Sequence, residues 1–198
     1  MEDPSHRKHD VQITLPTTYP DGFPQCQVAL PAKCDFSWER RNTISDIYSK
    51  VRDILSNYDD AWSVLEDFDS HCIILDPAKP TFEHNYRRIF LENQCSMYYT
   101  VNIEKPRSIG DWKFLGPPSE VDHFDQLISK NMNQWYSIRF PLFPYPKLTI
   151  RDTQRLPREN IETLLEIQLQ NNNELSASQY EMECAICYTY VLFTSDIF

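Results

Sequence analysis

"VQITLPTTYPDGFPQCQVAL", residues 11–30, decides how the fold begins. Val11 to Pro16 alternates apolar and polar side chains, which is the period of a half-buried strand. "QVALP", Gln27 to Pro31, reads as its neighbour. Between them, Tyr19-Pro20-Asp21-Gly22-Phe23-Pro24 holds two prolines and a glycine, and these force a rigid, extended turn. The chain starts almost directly on the first strand, so a domain missing an N-terminal piece is expected.

Downstream, Thr43-Ile44-Ser45-Asp46 has the form of a capping box. Ile44, Tyr48, Val51, Leu55, Tyr58, Trp62 and Leu65 follow in steps of four and three, placing them on one stripe of a helix over about 43 to 67. A coiled coil would give the same stripe, but about three heptads with a poor e/g pattern favour packing on a sheet. "HCIILDP" reads as a buried strand stopped at Asp76-Pro77. "RRIFL" and "SMYYTVNI" form a hairpin around Glu92-Asn93-Gln94, and "WKFLGPP" is one more strand. Ser119-Glu120-Val121-Asp122 reads as a second capping box, ahead of an amphipathic helix carrying Val121, Phe124, Ile128, Met132 and Trp135. "RFPLFPYPKLTI" is proline-rich and at best an edge strand. Pro157 opens a third helix with Ile161, Leu164, Leu165 and Leu169 inside, and "NNNELSAS" is a polar linker. The order of strands and helices gives an α+β fold of two similar lobes. The first lobe is expected over 1–75 and the second over 76–172, with an insertion near 136–156; a short separate unit occupies 173–198.

Composition narrows the function. The chain has 198 residues and a net charge of −10, which argues against a broad nucleic-acid surface. Arg40-Arg41 and Arg87-Arg88 read as solvated faces or ion-pair partners. No apolar run approaches the roughly 20 residues of a membrane span. The polar start "MEDPSHRKHD" lacks a signal-peptide core, so a nuclear or cytoplasmic protein is expected. In that setting six cysteines are thiols or metal ligands. Cys26, Cys34, Cys72 and Cys95 lack ligand spacing and read as buried or idle thiols.

No Gly-rich phosphate loop and no G-x-S-x-G is present, and the histidines are scattered. Asp59-Asp60 and Glu66-Asp67 are expected to face solvent. The specific signal is Cys184-Ala185-Ile186-Cys187, because two thiolates at this spacing clasp zinc from a tight knuckle. A redox C-x-x-C would sit at a helix N-terminus after a βαβ pattern; here the surroundings are β-prone and aromatic. Two ligands leave zinc two short, so these residues alone are not expected to form a stable site.

"YPDGFP" has the form Y-P-x-x-x-P, and with its flanking strands and helix it resembles RWD domains and their ubiquitin-conjugating (UBC) relatives. The conjugating enzymes' His-Pro-Asn motif and catalytic cysteine are absent, and Cys34 has no such motif around it. A diverged conjugating enzyme acting through Cys34 is therefore a weaker reading. The runs "AWSVLEDFDSHCIILDPAKP", "RRIFLENQCSMYYTVNI", "FLG" and "MECAICYTY" are similar to the RING-type E3 ubiquitin ligase family of the Fanconi DNA-repair pathway. That resemblance covers roughly 1–135 and 157–190. It implies two RWD/UBC-like lobes, each an antiparallel sheet packed on helix, followed by the start of a RING. Residues past Tyr190 lose the RING pattern, so a fragment or truncated form is expected, with little or no ligase activity of its own.

The resemblance implies that the lobes recruit the Fanconi D2 and I proteins within a core complex of other Fanconi subunits. The RING would recruit a ubiquitin-conjugating enzyme, with zinc on Cys184 and Cys187. The family's apolar substrate-facing patch falls on Ile109, Lys113, Leu115 and Gln126, where Lys113 and Gln126 lose the apolar character. Trp112 and Phe114 could supply apolar area instead; for Phe114 a strand-core role is equally open. Ile186, the residue before the second cysteine, and Tyr188 would touch the conjugating enzyme. A non-catalytic scaffold within a repair complex is the alternative function.

Overall fold

The computed structural model describes residues 1–19, 21–32, 43–135 and 155–170, together with the backbone of 182–183 and 190–191. Strands β1 (Val11–Thr14) and β2 (Gln25–Val28) pair antiparallel, with Val11 opposite Val28 and Ile13 opposite Cys26. Alternation turns Val11, Ile13, Cys26 and Val28 toward the core and leaves Gln12, Thr14, Gln25 and Gln27 exposed. In the turn between them, the Gly22 N–H donates to the Thr18 carbonyl at 3.0 Å. A Cβ at Gly22 would meet the Thr18 hydroxyl and the Pro16 ring, so any larger residue here would have to displace those side chains.

Helix α1 (Ile44–His71) runs four residues past the expected end. Its capping box is formed: the Asp46 carboxylate accepts from the Thr43 N–H at 2.7 Å, and Thr43 Oγ1 accepts from the Asp46 N–H at 3.3 Å. The buried stripe begins at Ile47, not Ile44. It continues through Val51, Leu55, Trp62, Leu65 and Phe68. Ile44 and Tyr48 are exposed at 55% and 49%, which corrects the stripe at its start. Successive helical residues are about 100° apart, so when Ile47 faces inward its neighbour Tyr48 faces out.

The second sheet has the order β3-β4-β5-β6 and is antiparallel throughout. Its strands are β3 (Ile74–Asp76), β4 (Tyr86–Phe90), β5 (Ser96–Thr100) and β6 (Asp111–Leu115). The β4–β5 hairpin turns where expected, with Asn93 and Gln94 both at positive φ, 56° and 60°. Ile89, Met97, Tyr99 and Phe114 point to one face and pack against α1 and α2 (Pro118–Trp135). The Phe68 and Tyr99 rings lie 5.2 Å apart across this layer.

The second expected capping box is not what starts α2. The helix begins one residue earlier at Pro118, and the Pro117 carbonyl accepts from the N–H groups of Glu120 and Val121 at 3.1 and 3.0 Å. Proline at the first helical position costs no hydrogen bond, because that N–H has no intrahelical partner anyway. Helix α3 (Pro157–Leu165) also opens on proline and buries Ile161, Leu164 and Leu165. Leu169 is buried too, beyond the helix end, where Glu166 takes a left-handed φ of 57°.

Arginines from four segments converge on α1. Arg7 lies 3.3 Å from Asp59 and 2.9 Å from Glu66. Arg107 reaches Asp60 at 2.7 Å, Arg158 reaches Asp67 at 2.8 Å, and Arg87 reaches Asp69 at 2.6 Å. The expectation of a solvent-facing acidic surface is corrected at Asp67, which is only 9% exposed and partners Arg158, but Asp60 and Glu66 do face solvent, at 45% and 52% exposed. Arg87 is likewise buried and ion-paired rather than solvated. The hydrophobic core of the described residues is continuous from Ile47 to Leu169, so α1 serves both sheets.

The residues of the proline-rich stretch, 139–150, and of the linker, 171–178, lie outside the described residues, as do Cys34, Arg40 and Arg41. Two short strands, β7 (Met182–Glu183) and β8 (Tyr190–Val191), pair antiparallel.

Candidate functional site

The expected binding residues cluster on and beside β6, and strand alternation divides them. Phe114 lies opposite Met97 and Trp112 opposite Tyr99, on the helix-facing side of the sheet. Phe114 is 7% exposed and stacks on Phe124 of α2 at 5.4 Å. Its role is core packing, one of the two roles left open for it by the sequence. Trp112 is half-buried and packs on the core from the sheet margin.

Lys113 and Leu115 point the other way. They share the open face of the sheet with Arg88, Phe90, Ser96 and Tyr98. Leu115 is half-buried opposite Ser96, and Lys113 is exposed opposite Tyr98. The Tyr86 and Tyr98 rings stack at 4.7 Å, and Arg88 Nε donates to Ser96 Oγ at 3.0 Å. Burial, then the hydrogen bond with Tyr86, pushes the Tyr98 phenol up to about 12, so it stays protonated and can donate. This face combines an apolar spot, a tyrosine pair and two cations. Tyr86, Arg88 and Tyr98 were not singled out in the sequence, because "YRRIF" carries an arginine and "SMYYT" a tyrosine on each face of its strand, and only the pairing of the strands shows which face is turned outward.

Ile109 reaches the same edge from the loop before β6. Two anchors fix that loop: the Gly110 N–H donates to Tyr99 Oη at 3.1 Å, and the Arg107 guanidinium donates to Asp60 at 2.7 and 2.9 Å. Ile109 is half-buried between these anchors, while Gln126 on α2 is exposed. Lys113 and Leu115 thus share one face of β6, while Ile109 sits in the loop before the strand, at the opposite end from Leu115.

Cys184, Ile186, Cys187 and Tyr188 lie outside the described residues, with β7 and β8 pairing on either side of them. Among the described residues, no group of three or more His, Cys, Asp or Glu side chains could hold a metal ion. Cys72 and Cys95 are buried, and burial pushes both thiols up, Cys72 furthest. No described helix is long and apolar enough to cross a membrane.

The family model for FANCL UBC-like domain 2 matches residues 1–58, and that for FANCL UBC-like domain 3 matches residues 60–140. The chain belongs to the FANCL family. Mouse E3 ubiquitin-protein ligase FANCL is 26% identical over 187 residues, covering 94% of this chain and 46% of the mouse protein. A FANCL crystal structure superposes with a TM-score of 0.53 at 16% identity, over 76% of this chain and 39% of that one. At that identity the likeness shows the fold: UBC-like, with antiparallel sheets packed on helices. The chain spans less than half the length of these FANCL relatives.

Proposed function

We propose that this chain is the substrate-recruiting region of a RING-type E3 ubiquitin ligase that places one ubiquitin on the Fanconi D2/I pair during repair of DNA interstrand crosslinks. One observation carries the reading: two FANCL UBC-like domains stand in tandem, in the order the family uses, ahead of a C-x-x-C. The mouse relative named as an E3 ubiquitin-protein ligase supports the ligase class.

In this reading the lobes carry a conjugating enzyme's fold without its chemistry, since the His-Pro-Asn motif is absent. Their work is to hold substrate near a charged conjugating enzyme, and proximity and orientation alone remove much of the barrier to transfer. Substrate docks on the sheet edge at Ile109 and Leu115, with Trp112 at the margin. Tyr98 and Arg88 supply directional hydrogen bonds beside the apolar contact.

The conjugating enzyme docks on Ile186 and Tyr188. The two thiolates of Cys184 and Cys187 suit zinc, and the antiparallel β7–β8 pair around them fits a knuckle. Zinc would supply structural stability there, holding Ile186 rigid enough to plug a groove on its partner. The parent protein acts in the nucleus, within a complex of other Fanconi subunits.

The test measures capture of the purified D2/I pair by the full chain and by its Leu115→Glu variant, with thermal melting as a control for folding. Capture by the wild type, reduced at least tenfold in a variant that still melts normally, is expected. Failure of the wild type to bind, or equal capture by Leu115→Glu, would overturn the reading.

A further inference from the structure

A cleft of about 400 Å³ opens between α1 and the β3–β4 loop, on the opposite side of the second sheet from Lys113 and Leu115. Its floor is apolar, built from Trp62 and Leu65 of α1 and Pro80 and Phe82 of the loop. Ala29, just past β2, closes one end. Thr81 of the loop, two carboxylates, Glu66 and Asp69, and one guanidinium, Arg87, complete the lining.

The charges are unequally satisfied. Arg87 and Asp69 neutralise each other through two bonds, and Arg87 Nη1 also donates to the Tyr86 carbonyl at 2.7 Å. The Arg87 side chain is 4% exposed, so little of its charge reaches the cleft mouth. Glu66 is 52% exposed, and its ion-pair partner is Arg7. That arginine is shared with Asp3 at 3.0 Å and Asp59 at 3.3 Å, so three carboxylates divide one cation. Arg7 Nε lies 2.9 Å from Glu66 yet makes no hydrogen bond, so the contact is close but misaligned. The Glu66 carboxylate therefore keeps its accepting capacity at the rim of an apolar slot.

We propose that this cleft takes a lysine or arginine side chain from a basic segment of a partner protein. An amphipathic side chain of this kind lays an aliphatic stem on apolar surface and keeps its cationic head in a polar setting. Pro80 and Phe82 receive the stem above the nearly buried Trp62 and Leu65, and Glu66 receives the head. A volume of about 400 Å³ suits one long side chain with its flanking backbone. The net charge of −10 draws a basic partner toward the surface and rejects an acidic one.

The site is built at a joint, because the His9 ring packs tilted against Trp62 and Phe82, with centroids 4.6 and 4.3 Å away. Trp62 Nε1 donates to the Phe82 carbonyl at 3.3 Å, fixing the floor to the loop. Occupancy would therefore be felt by the indole N–H of Trp62.

The test is a nuclear magnetic resonance titration of the full chain, following the Trp62 indole resonance. The probes are acetyl-Ala-Lys-Ala-amide, its arginine counterpart, its norleucine counterpart and its glutamate counterpart. Saturable shifts with the lysine and arginine peptides are expected, at least tenfold tighter than with norleucine and absent with glutamate. Glu66→Gln should weaken the cationic peptides at least fivefold, whereas Leu115→Glu on the far face should leave them unchanged. Glu66 is exposed, so Glu66→Gln is expected to keep the wild-type spectrum elsewhere, and Glu66→Lys gives a second variant in which cationic binding is lost. Equal binding of norleucine and lysine, no saturable shift, or wild-type affinity in Glu66→Gln would each overturn the proposal. None of these outcomes touches the sheet-edge reading, which Leu115→Glu tests separately through D2/I capture.

Discussion

Arg87 closes on Asp69 with two parallel bonds, Nε to Oδ1 at 2.6 Å and Nη2 to Oδ2 at 2.7 Å. The pair ties the last turn of α1 to β4 where the arginine is almost wholly buried. Removing one partner strands the other. We expect Asp69→Ala or Arg87→Ala to cost about 3 kcal/mol, toward the lower end for a buried pair because Asp69 is partly exposed. Arg87→Met combined with Asp69→Leu should lose less than either single variant. Urea unfolding measures all three, and a loss below about 0.5 kcal/mol for both single variants would contradict this account.

Phe114 and Leu115 are adjacent in sequence but serve different ends. Phe114→Ala should lower stability by about 3–4 kcal/mol, since it empties a site stacked on Phe124. Leu115→Glu should leave the melting temperature within a few degrees of wild type while abolishing D2/I capture. The same pair of assays run on both variants separates packing from docking, and a stable Phe114→Ala protein would show that the inward placement is wrong.

Asp3 organises the N-terminal segment, accepting from His9 Nε2 at 3.0 Å, from the Arg7 N–H at 2.9 Å and from Arg7 Nη1 at 3.0 Å. Burial pushes its carboxyl up, but the hydrogen bonds from His9 and the Arg7 backbone and the Arg7 charge outweigh burial and hold it below the ordinary carboxylate value. A depressed native value means stability that is present above the unfolded value, about 3.9, and lost as pH falls through the native one. Asp3→Asn should therefore lower the melting temperature near pH 7 and flatten its decline below about pH 4. A variant melting profile parallel to wild type across that acid range would refute the linkage.

Cys72 and Cys95 should resist alkylation in the native state. Burial raises both thiols, Cys72 far above the ordinary range, which disfavours the reactive thiolate. Mass spectrometry after timed iodoacetamide treatment should find Cys26 modified before either of them. Rapid labelling of Cys72 without unfolding would contradict its burial.

Much of this fold was legible because its signals are local. The Thr43–Asp46 capping box, the Pro157 opening of α3, the alternation of β1 and the turn of the β4–β5 hairpin depend on residues a few positions apart, whereas β2 lies two residues earlier than expected. The arginine partners of α1 were not legible, because Arg7 and Arg158 reach the helix from distant parts of the chain and an acidic residue reads as solvated until its partner is placed. The candidate site residues were marked by resemblance, and their orientation was not legible. "DWKFL" is apolar at Trp112, Phe114 and Leu115, so both faces of the strand carry an apolar side chain, and nothing in that run states which parity faces the helices. Pairing of Phe114 with Met97 decides it.

The two family domains meet at residue 59, in the middle of α1, and the helix gives Val51 and Leu55 to one side of that point and Trp62 and Leu65 to the other. A cut placed there would sever a helix rather than a tether. Expressed apart, each domain would lose the buried side chains carried on the other half of α1, so a cloning boundary belongs outside this helix rather than between the two matches.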